Sequence, residues 1–514
     1  METTKIAPHL SSSIPRAAET DYRLADFKFL LPLGPELRVL INHDIENCEF
    51  VPPLLADVGQ IEVVAQPVNR AERQSRPGLP HHPRLKLVSR PTGQYDLIVS
   101  RTLMETEYLN DRGLLCLFDL QPQKQTGTHD LLSAGWMGSP SWPNFRYLIP
   151  DTRTGRSVAI RDLKISRFHL WKARLKVLVE KIVKNGCPSR GFQLFWRAKD
   201  CSQSTFQEQV GVAFNTHPQL SGMAALPREN WIIYSGQKGE GNPIIATVLN
   251  QTGKPWVVIK TSRFPEQSHL QQEEEKIWKV QQRLGPALAS TMILPLAQAN
   301  VLAHPLLVYP FVPTHRIPKW RWHLSSRRNC LAAVTQWLVG IARKTAERIP
   351  VSRFQEQHLF PLQRLLERHA LPPDLIEPAK RAIREIEEYQ EKPFSILEHG
   401  DFGIYNIRLS SKDGGKFRVL DWGSSEISGI PLGDLCTMLI TTRAPLRLAT
   451  RCLAAYLQEI GCPKNRAFSF WLSYMARRWE ELDAVRHAPI EEGPSGGCML
   501  LEPARRVQTW LASL

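Results

Sequence analysis

The chain has 514 residues, of which 42% are hydrophobic and 22% charged, and its formal net charge is +15. A chain of this length and composition is large enough to bury a core and can form two or three globular domains. The positive charge favours anionic partners such as nucleotides, acidic glycans or a membrane surface, without selecting among them.

The cysteines and the N-terminus bear on the cellular compartment. Nine cysteines, an odd number without a C-x-x-C pair, are typical of reduced thiols in a cytosolic protein. The N-terminus lacks a hydrophobic signal region, and no run reaches the ~18 apolar residues of a membrane span. We therefore predict a cytoplasmic protein without a transmembrane segment, although peripheral membrane contact stays open. No RNA-binding motif, zinc-finger spacing or basic block is present, so no nucleic-acid partner is predicted.

Residues 1–30 are polar and unpatterned, which predicts a flexible tail, and an α/β domain is predicted over 31–225. Its evidence is a set of short β-rich runs with longer connections between them: LRVLI (37–41), IEVVA (61–65) and YDLIV (95–99). The layout weakly resembles Rossmann-like methyltransferases, but residues 42–46 after the first run lack the glycines that such a cofactor site needs. We favour a degenerate Rossmann-like or unknown domain for docking or acceptor recognition over a fused methyltransferase-like domain.

Two further stretches complete this part of the chain. The tryptophan- and proline-rich segment 135–150 predicts irregular structure. Apolar residues at helical spacing from Phe168 to Ile182 predict a basic amphipathic helix, which packs into a domain or lies on a membrane surface.

From Trp231 the pattern becomes a series of strands. Strands are predicted at 231–234 and 243–249, and the turn between them contains Gly236 and Gly239. Backbone N–H groups of such a turn could cover phosphates, but the spacing does not match G-x-G-x-x-G and an ordinary hairpin is equally compatible. A further strand, 255–260, ends at Lys260.

A helix over 269–284 follows, and Glu273 lies on the same face as Ile277 and Val280. A carboxylate at this position can pair with Lys260. Residues 306–313 predict one more strand leading into a connection. Beyond Arg316 the periodicity is helical, over 331–349, 360–371, 374–390, 448–461 and 468–482.

The stretch from His399 to Leu435 contains the candidate catalytic and metal-binding residues. An aspartate, Asp401, is followed by Asn406 and, after a predicted hairpin, by Asp421. Because a hairpin brings its two ends together, Asn406 and Asp421 are expected side by side. Asn406 and Asp421 offer oxygen ligands, which suit a metal ion bound to nucleotide phosphates. Asp401 offers a separate carboxylate, which can orient an attacking hydroxyl and take its proton.

This stretch reads H-G-D-x-x-x-x-N, then a hairpin, then D-W-G, then G-x-P-x-x-D-L ending at Asp434 and Leu435. It resembles the aminoglycoside phosphotransferase and choline kinase family, relatives of protein kinases, and the resemblance covers about 230–514. The resemblance implies an α+β, protein-kinase-like bilobal fold, preceded by the α/β domain. The small β-rich lobe would span 226–315 and the large helical lobe 316–514.

The resemblance also implies roles. Asp401 would be the catalytic base, and Asn406 and Asp421 would hold Mg²⁺. Lys260, fixed by Glu273, would grip the α- and β-phosphates of ATP. The implied nucleotide contacts also include the turn with Gly236 and Gly239 and the connection from Tyr309 to Val312. His399 is expected to shape the loop and not to react.

The predicted function is ATP- and Mg²⁺-dependent transfer of the γ-phosphate to a hydroxyl of a small molecule. The acceptor would be a sugar, a glycan intermediate, an aminoglycoside or a choline-like metabolite, with a weak preference for a glycan or metabolite. Glu480, Glu481 and Asp483 could meet a cationic acceptor, but their alternation with arginines favours a salt-bridged helix face. The alternative is a non-catalytic kinase-like binding or scaffold protein.

Overall fold

The structure is a computed structural model, and it divides the chain into two compact units. Unit one comprises Met1–Leu270 and Pro295–Phe311, and unit two comprises Gln271–Leu294 and Val312–Leu514. The residues that the structure describes are 26, 28–31, 33–42, 51–64, 82–100, 106–118, 132–139, 147–150, 158, 192–196, 205–227, 230–235, 243–265, 269–313, 325–367, 371, 373–389, 394–410, 414–486 and 494–514.

Unit one contains a parallel sheet in the order β3-β2-β1-β4-β5. Its strands are β1 (Gly34–Asn42), β2 (Val58–Val64), β3 (Leu85–Val88), β4 (Tyr95–Ser100) and β5 (Leu109–Phe118), and helix α1 (Val51–Leu55) precedes β2. Val39, Leu40 and Ile41 are all fully buried, as expected for a parallel strand covered on both faces. The three β-rich runs predicted in this part are confirmed as β1, β2 and β4.

Antiparallel strands extend this sheet. They are β6 (Leu132–Ser139), β7 (Tyr147–Pro150) and β8 (Phe192–Trp196), and helix α2 (Phe206–Ala213) follows them. Strand β8 pairs with both β5 and β6, and β7 pairs with β6. The prediction of irregular structure over 135–150 is therefore wrong at 135–139 and 147–150, because pairing with neighbouring strands outweighs the weak local propensity of glycine and proline, while 140–146 lie outside the described residues. The helix predicted from Phe168 to Ile182 lies outside the described residues.

The remaining strands of unit one are β9 (Trp231–Tyr234), β10 (Ile244–Leu249), β11 (Pro255–Thr261), β12 (Ala297–Val301) and β13 (His304–Pro310). They are antiparallel, in the order β12-β13-β11-β10-β9, and confirm the strands predicted here. Because β9 also pairs with β7, all thirteen strands form one sheet. One apolar cluster contains buried residues from Phe29 to Val308, many of them in these strands.

Unit two is mainly helical. After α3 (His269–Ala289), whose first two residues belong to unit one and which bends at Gly285, its helices are α4 (Ser325–Thr345), α5 (Val351–Glu367), α6 (Pro373–Glu387), α7 (Gly433–Thr441), α8 (Leu446–Ile460), α9 (Lys464–Arg486) and α10 (Pro494–Ala512). Helix α9 packs against α5, α6, α7 and α10. The predicted helical segments are confirmed, with ends that differ by several residues.

The segment from His399 to Leu435 lies among short strands of unit two. They are β14 (Glu347–Arg348), β15 (Phe394–Glu398), β16 (Ile407–Leu409), β17 (Phe417–Val419) and β18 (Glu426–Gly429). Strand β15 lies between β14 and β18, and β16 and β17 form the predicted hairpin. The protein is thus a mixed α/β protein with a parallel sheet and helices. In the part of the chain that the structure describes, no helix combines the length and apolarity needed to cross a membrane.

Candidate active site

The loop between β15 and β16 presents Asp401 at its start and Asn406 at its end. Its turns are closed by backbone bonds from Gly403 N to Asp401 O (2.9 Å) and from Asn406 N to Gly403 O (3.0 Å). The Asn406 side-chain amide donates to the Asp401 carboxylate (2.9 Å) and to the Asp401 carbonyl oxygen (2.8 Å). These bonds fix the direction of an exposed carboxylate.

The hairpin brings Asp421 to the same place. Ile407 pairs with Val419, and Leu420 N donates to Asn406 O at 2.9 Å, so Asp421 is the next residue after the cross-strand partner of Asn406. Asp421 has left-handed backbone angles (φ 60°, ψ 68°). This conformation is uncommon outside glycine, and such strain tends to cluster at functional sites.

The electrostatic surroundings of Asp401 combine opposing effects. Partial burial and the nearby charge of Asp421 raise the pKa of the Asp401 carboxyl, whereas the Arg478 charge and the Asn406 hydrogen bond lower it. Two carboxylates close together disfavour ionisation of both until a cation is bound. The pair is therefore suited to meet a cation.

Asp434, in the first turn of α7, holds the catalytic loop from behind. Its carboxylate accepts from His399 N at 2.7 Å and from Gly400 N at 3.0 Å. Burial, then the charge of Glu398, raise the pKa of Asp434 to about 7, against the effect of these backbone bonds. Gly400 itself has φ 80°, and a Cβ there would lie 2.2 Å from the Ser424 carbonyl oxygen. Only glycine fits this position without a shift.

His399 is a loop-shaping residue, as the sequence predicts. Its Nε2 lies 2.9 Å from Leu420 O, and its Nδ1 accepts from Asp401 N at 3.3 Å, which defines a neutral ring protonated at Nε2. Burial lowers the pKa of His399 to about 4. The ring packs 4.6 Å from Trp422 and ties the loop to the D-W-G segment.

Helix α3 brings Glu273 to the D-W-G segment. Glu273 is buried, and a Cβ placed on Gly423 would lie 3.2 Å from its carboxylate oxygen. Lys276 Nζ donates to Gly423 O at 3.3 Å. Within unit two, the predicted residues Asp401, Asn406 and Asp421 are brought together, and Glu273 packs against the segment that follows Asp421.

The other predicted nucleotide residues are placed as follows. Lys260 lies on β11, where it pairs with Ile245 of β10 and Leu307 of β13. Tyr309 pairs with Val258 near the end of β13. Val312 lies just beyond β13 in unit two, and Gly236 and Gly239 lie outside the described residues.

Helix α9 contributes residues that the sequence analysis did not single out as site residues. Arg477 forms an ion pair with Glu398, whose side chain is 1% exposed, and the Tyr474 hydroxyl donates to Gly400 O at 3.0 Å. Glu398 directly precedes the H-G-D motif. An acidic side chain that is buried at this position requires a cationic partner. The sequence alone does not say which arginine supplies it.

Glu480 and Glu481 of α9 are paired, as the alternation of charges predicts. Arg364 binds the Glu480 carboxylate through two bonds, the longer at 2.7 Å. Glu481 pairs with Arg478 and with Arg477. The Arg478 charge acts on Asp401, so the helix adds positive charge beside the loop.

The donor set at the loop fits Mg²⁺. Within the described ranges, no group of three or more His, Cys, Asp or Glu side chains is arranged to hold a metal ion by itself. Mg²⁺ on nucleotide phosphates needs only one or two protein oxygens, because phosphates and water complete its shell. The Asn406 amide bonds Asp401 through its nitrogen, which directs its oxygen to the other side, and Asp421 supplies a carboxylate.

Comparison with solved structures gives likenesses to phosphotransferases. An aminoglycoside phosphotransferase from Streptomyces rimosus, in complex with ADP and streptomycin, is 18% identical over 46% of this chain and 90% of that one, with a TM-score of 0.32. A choline/ethanolamine kinase family protein from Mesorhizobium loti is 12% identical over 59% of this chain and 97% of that one (TM-score 0.38). The GDP complex of an aminoglycoside 2'-phosphotransferase-IIIa mutant is 13% identical over 51% and 88% (TM-score 0.33). No protein-family model and no curated protein matches the chain. At such low identities and TM-scores, the likenesses carry no weight for activity or substrate.

Proposed function

We propose that the protein is a phosphotransferase that moves the γ-phosphate of ATP to a hydroxyl of a small molecule, with Mg²⁺ as cofactor. The observation that carries the proposal is the arrangement of Asp401, Asn406 and Asp421. One carboxylate is oriented by the asparagine amide, and a hairpin brings a second carboxylate next to that asparagine. Phosphoryl transfer depends mainly on such positioning and on charge compensation.

In this proposal each residue has one task. Asp401 orients the acceptor hydroxyl and takes its proton, and Asn406 and Asp421 hold the cation. When bound, Mg²⁺ neutralises charge on the phosphates. Lys260 binds the α- and β-phosphates, with Glu273 as the acid that fixes its direction, in a bilobal kinase-like arrangement. The turn with Gly236 and Gly239 and the backbone from Tyr309 to Val312 complete the proposed nucleotide site.

The charges on α9 favour an acceptor that is neutral or anionic. Glu480 and Glu481 are engaged by arginines, and Arg478 adds positive charge near Asp401. A polycationic acceptor would need unpaired carboxylates here, whereas a hydroxylated sugar or sugar acid would not. We therefore place a sugar or glycan intermediate ahead of an aminoglycoside or a choline-like metabolite.

Cys116, Cys436 and Cys452 are buried thiols, which supports a reducing, cytoplasmic location.

The test is calorimetry of Mg-ATP binding together with phosphate transfer to a panel of sugars and sugar acids. The parent should bind Mg-ATP, Asp421→Ala should lose binding, and Asp401→Asn should keep binding but lower transfer by about 10²–10⁴-fold. Asp374→Ala, which removes an exposed acid paired with Arg505, is the matched control and should behave as the parent.

A parent that binds Mg-ATP but transfers phosphate to no acceptor would favour the non-catalytic alternative. A parent that binds no Mg-ATP would overturn the proposal.

A further inference from the structure

A cluster of five ionisable side chains is buried in unit one, whereas the loop that carries Asp401 belongs to unit two. Four of the five are 0% exposed and the fifth, Asp57, is 8% exposed; the members are Asp26, Lys28, Asp57, Arg263 and His304. Charged side chains are almost never fully buried unless they are paired. Each member of this cluster has a charged or polar partner. These partners show which backbone segments the cluster holds in place.

Asp26 and Arg263 form one half of the cluster. Arg263 binds the Asp26 carboxylate in a two-pronged manner, Nε to Oδ1 at 2.8 Å and Nη2 to Oδ2 at 3.0 Å. Burial raises the pKa of Asp26 against the charge of Arg263. The same guanidinium donates to the carbonyl oxygen of Ser235, the residue that follows β9.

Asp57 organises the other half. It pairs with Lys28, and its second oxygen lies 2.7 Å from His304 Nε2. Lys28 also donates to Arg263 O at 2.6 Å, and His304 Nδ1 lies 3.0 Å from Ser262 O. Both ring nitrogens of His304 thus lie within hydrogen-bond distance of oxygen atoms. Although burial raises the pKa of Asp57, the charges of Lys28 and His304 lower it further, and the carboxylate stays ionised.

The cluster converges on the ends of two strands in the proposed nucleotide site. Ser235 is the residue after β9, and Ser262 and Arg263 lie two and three residues beyond Lys260. The carbonyl oxygens of all three are held by cluster side chains. Both acids of the cluster come from the first 57 residues, far away in sequence.

We propose that Asp26 and Asp57 are positioning residues for the nucleotide, acting through Arg263, Lys28 and His304 on the end of the Lys260 strand and the start of the turn after β9. Asp26 and Asp57, which lie more than two hundred residues before Lys260, then support the nucleotide site through other side chains. This inference rests on the proposed function.

Stability alone does not explain why these charged side chains are buried, whereas a role in positioning the backbone does. Buried ion pairs can often be replaced by apolar residues of similar size without loss of stability, so a buried network is a weak source of stability. The same network fixes backbone direction, because each of its bonds to a carbonyl oxygen has a defined geometry. A phosphate-binding site needs its backbone and its lysine held in place before the ligand arrives.

The test uses the full-length protein and Mg-ATP as the probe. Asp57→Asn and Asp26→Asn should each weaken Mg-ATP binding about tenfold in calorimetry. The matched control is Glu62→Gln, which removes another buried acid of the same sheet, one that accepts from the Tyr95 and Thr92 hydroxyls. This control should lower the melting temperature to a similar extent but leave Mg-ATP affinity unchanged.

Two further measurements separate positioning from general loss of structure. Hydrogen exchange at the amides of residues 260–264 should accelerate in Asp57→Asn and Asp26→Asn but not in Glu62→Gln. His304→Gln keeps the Lys28–Asp57 pair and should weaken binding less than Asp57→Asn. If Asp57→Asn does not fold, His304→Gln and Asp26→Asn carry the test.

The outcomes are distinct. Cluster variants that bind Mg-ATP as tightly as the parent, or a control that loses affinity equally, would overturn this inference and leave the proposed function intact. A parent that binds no Mg-ATP would overturn the proposed function and, with it, this inference.

Discussion

Arg477 of α9 forms an ion pair with Glu398, the last residue of β15 and the residue before the candidate catalytic loop. The side chains are 15% and 1% exposed, and Glu398 also accepts from Ile430 N at 2.7 Å. Through this pair, a helix that begins only at Lys464, far beyond the loop in the sequence, supports the strand that leads into it.

Removing Arg477 should therefore be costly. Arg477→Met leaves the Glu398 charge buried without its cation, and we expect the free energy of unfolding to fall by about 3–5 kcal/mol in chemical denaturation. Arg343→Met removes an exposed pair with Glu459 in the same unit and should cost less than about 1 kcal/mol. Equal losses in the two variants would contradict a special role for the Glu398 pair.

Gly400→Ala should disrupt the loop directly. The new Cβ would lie 2.2 Å from the Ser424 carbonyl oxygen at a residue with φ 80°. We expect a loss of about 1–3 kcal/mol in unfolding free energy and lower phosphate transfer. Gly461→Ala also changes a glycine with positive φ, but no atom lies within 4 Å of the new Cβ, so it reports the backbone effect alone. The prediction fails if Gly400→Ala costs no more than Gly461→Ala.

Asp434→Asn tests the support behind the catalytic loop. The amide can accept only one of the two backbone N–H groups of His399 and Gly400, and its own N–H₂ faces the other. Leaving a buried donor unpaired should cost about 1–3 kcal/mol of unfolding free energy. Mg-ATP binding should persist while transfer falls, which single-turnover kinetics would measure. Unchanged transfer would show that Asp434 does not position the loop.

His358 predicts a dependence of stability on pH. Burial, then the charge of Arg477, lower the pKa of His358 to about 3 from its usual 6.5. Below pH 6.5 the unfolded chain takes up a proton that the folded one refuses, so the unfolding free energy falls as the pH drops. Between pH 6.5 and 4.5 the loss from this group is about 2–3 kcal/mol.

The check is to compare the parent with His358→Gln across this range by chemical denaturation. The difference in unfolding free energy between them should shrink as the pH falls, because only the parent loses the contribution of His358. Parallel curves for the parent and His358→Gln would refute the assignment.

Arg478 predicts selectivity among acceptors. If its charge faces the acceptor, Arg478→Gln should lower kcat/KM for a sugar acid about tenfold more than for the matching neutral sugar. Arg364→Gln, which breaks only the pair with Glu480, should leave the ratio of the two kcat/KM values unchanged. A ratio that Arg478→Gln does not move would exclude Arg478 from acceptor selection.

The strands β9, β10 and β11 and the long helices of unit two could be predicted from the sequence, because their signal is local. A period of two or 3.6 residues lies within a single segment and needs no partner. Strands β6 and β7 were missed because their glycines, prolines and tryptophans have no such pattern, and only pairing with β8 and β9 makes them strands. The joining of all thirteen strands into one sheet was likewise beyond local reasoning.

The sequence by itself determined the candidate site loop from His399 to Asn406, the hairpin and the closeness of Asn406 to Asp421. These features depend on short spacings within one stretch, where chain geometry leaves few alternatives. Only the tertiary structure decided which distant side chains support that stretch: Arg477 pairs with Glu398, and Asp434 accepts from the backbone of His399. In unit one, it likewise decided that Asp26 and Asp57 belong to the buried cluster at the end of the Lys260 strand. Such contacts join residues that are far apart in the chain, and the burial that selects one arginine or aspartate among many exists only after the chain has folded.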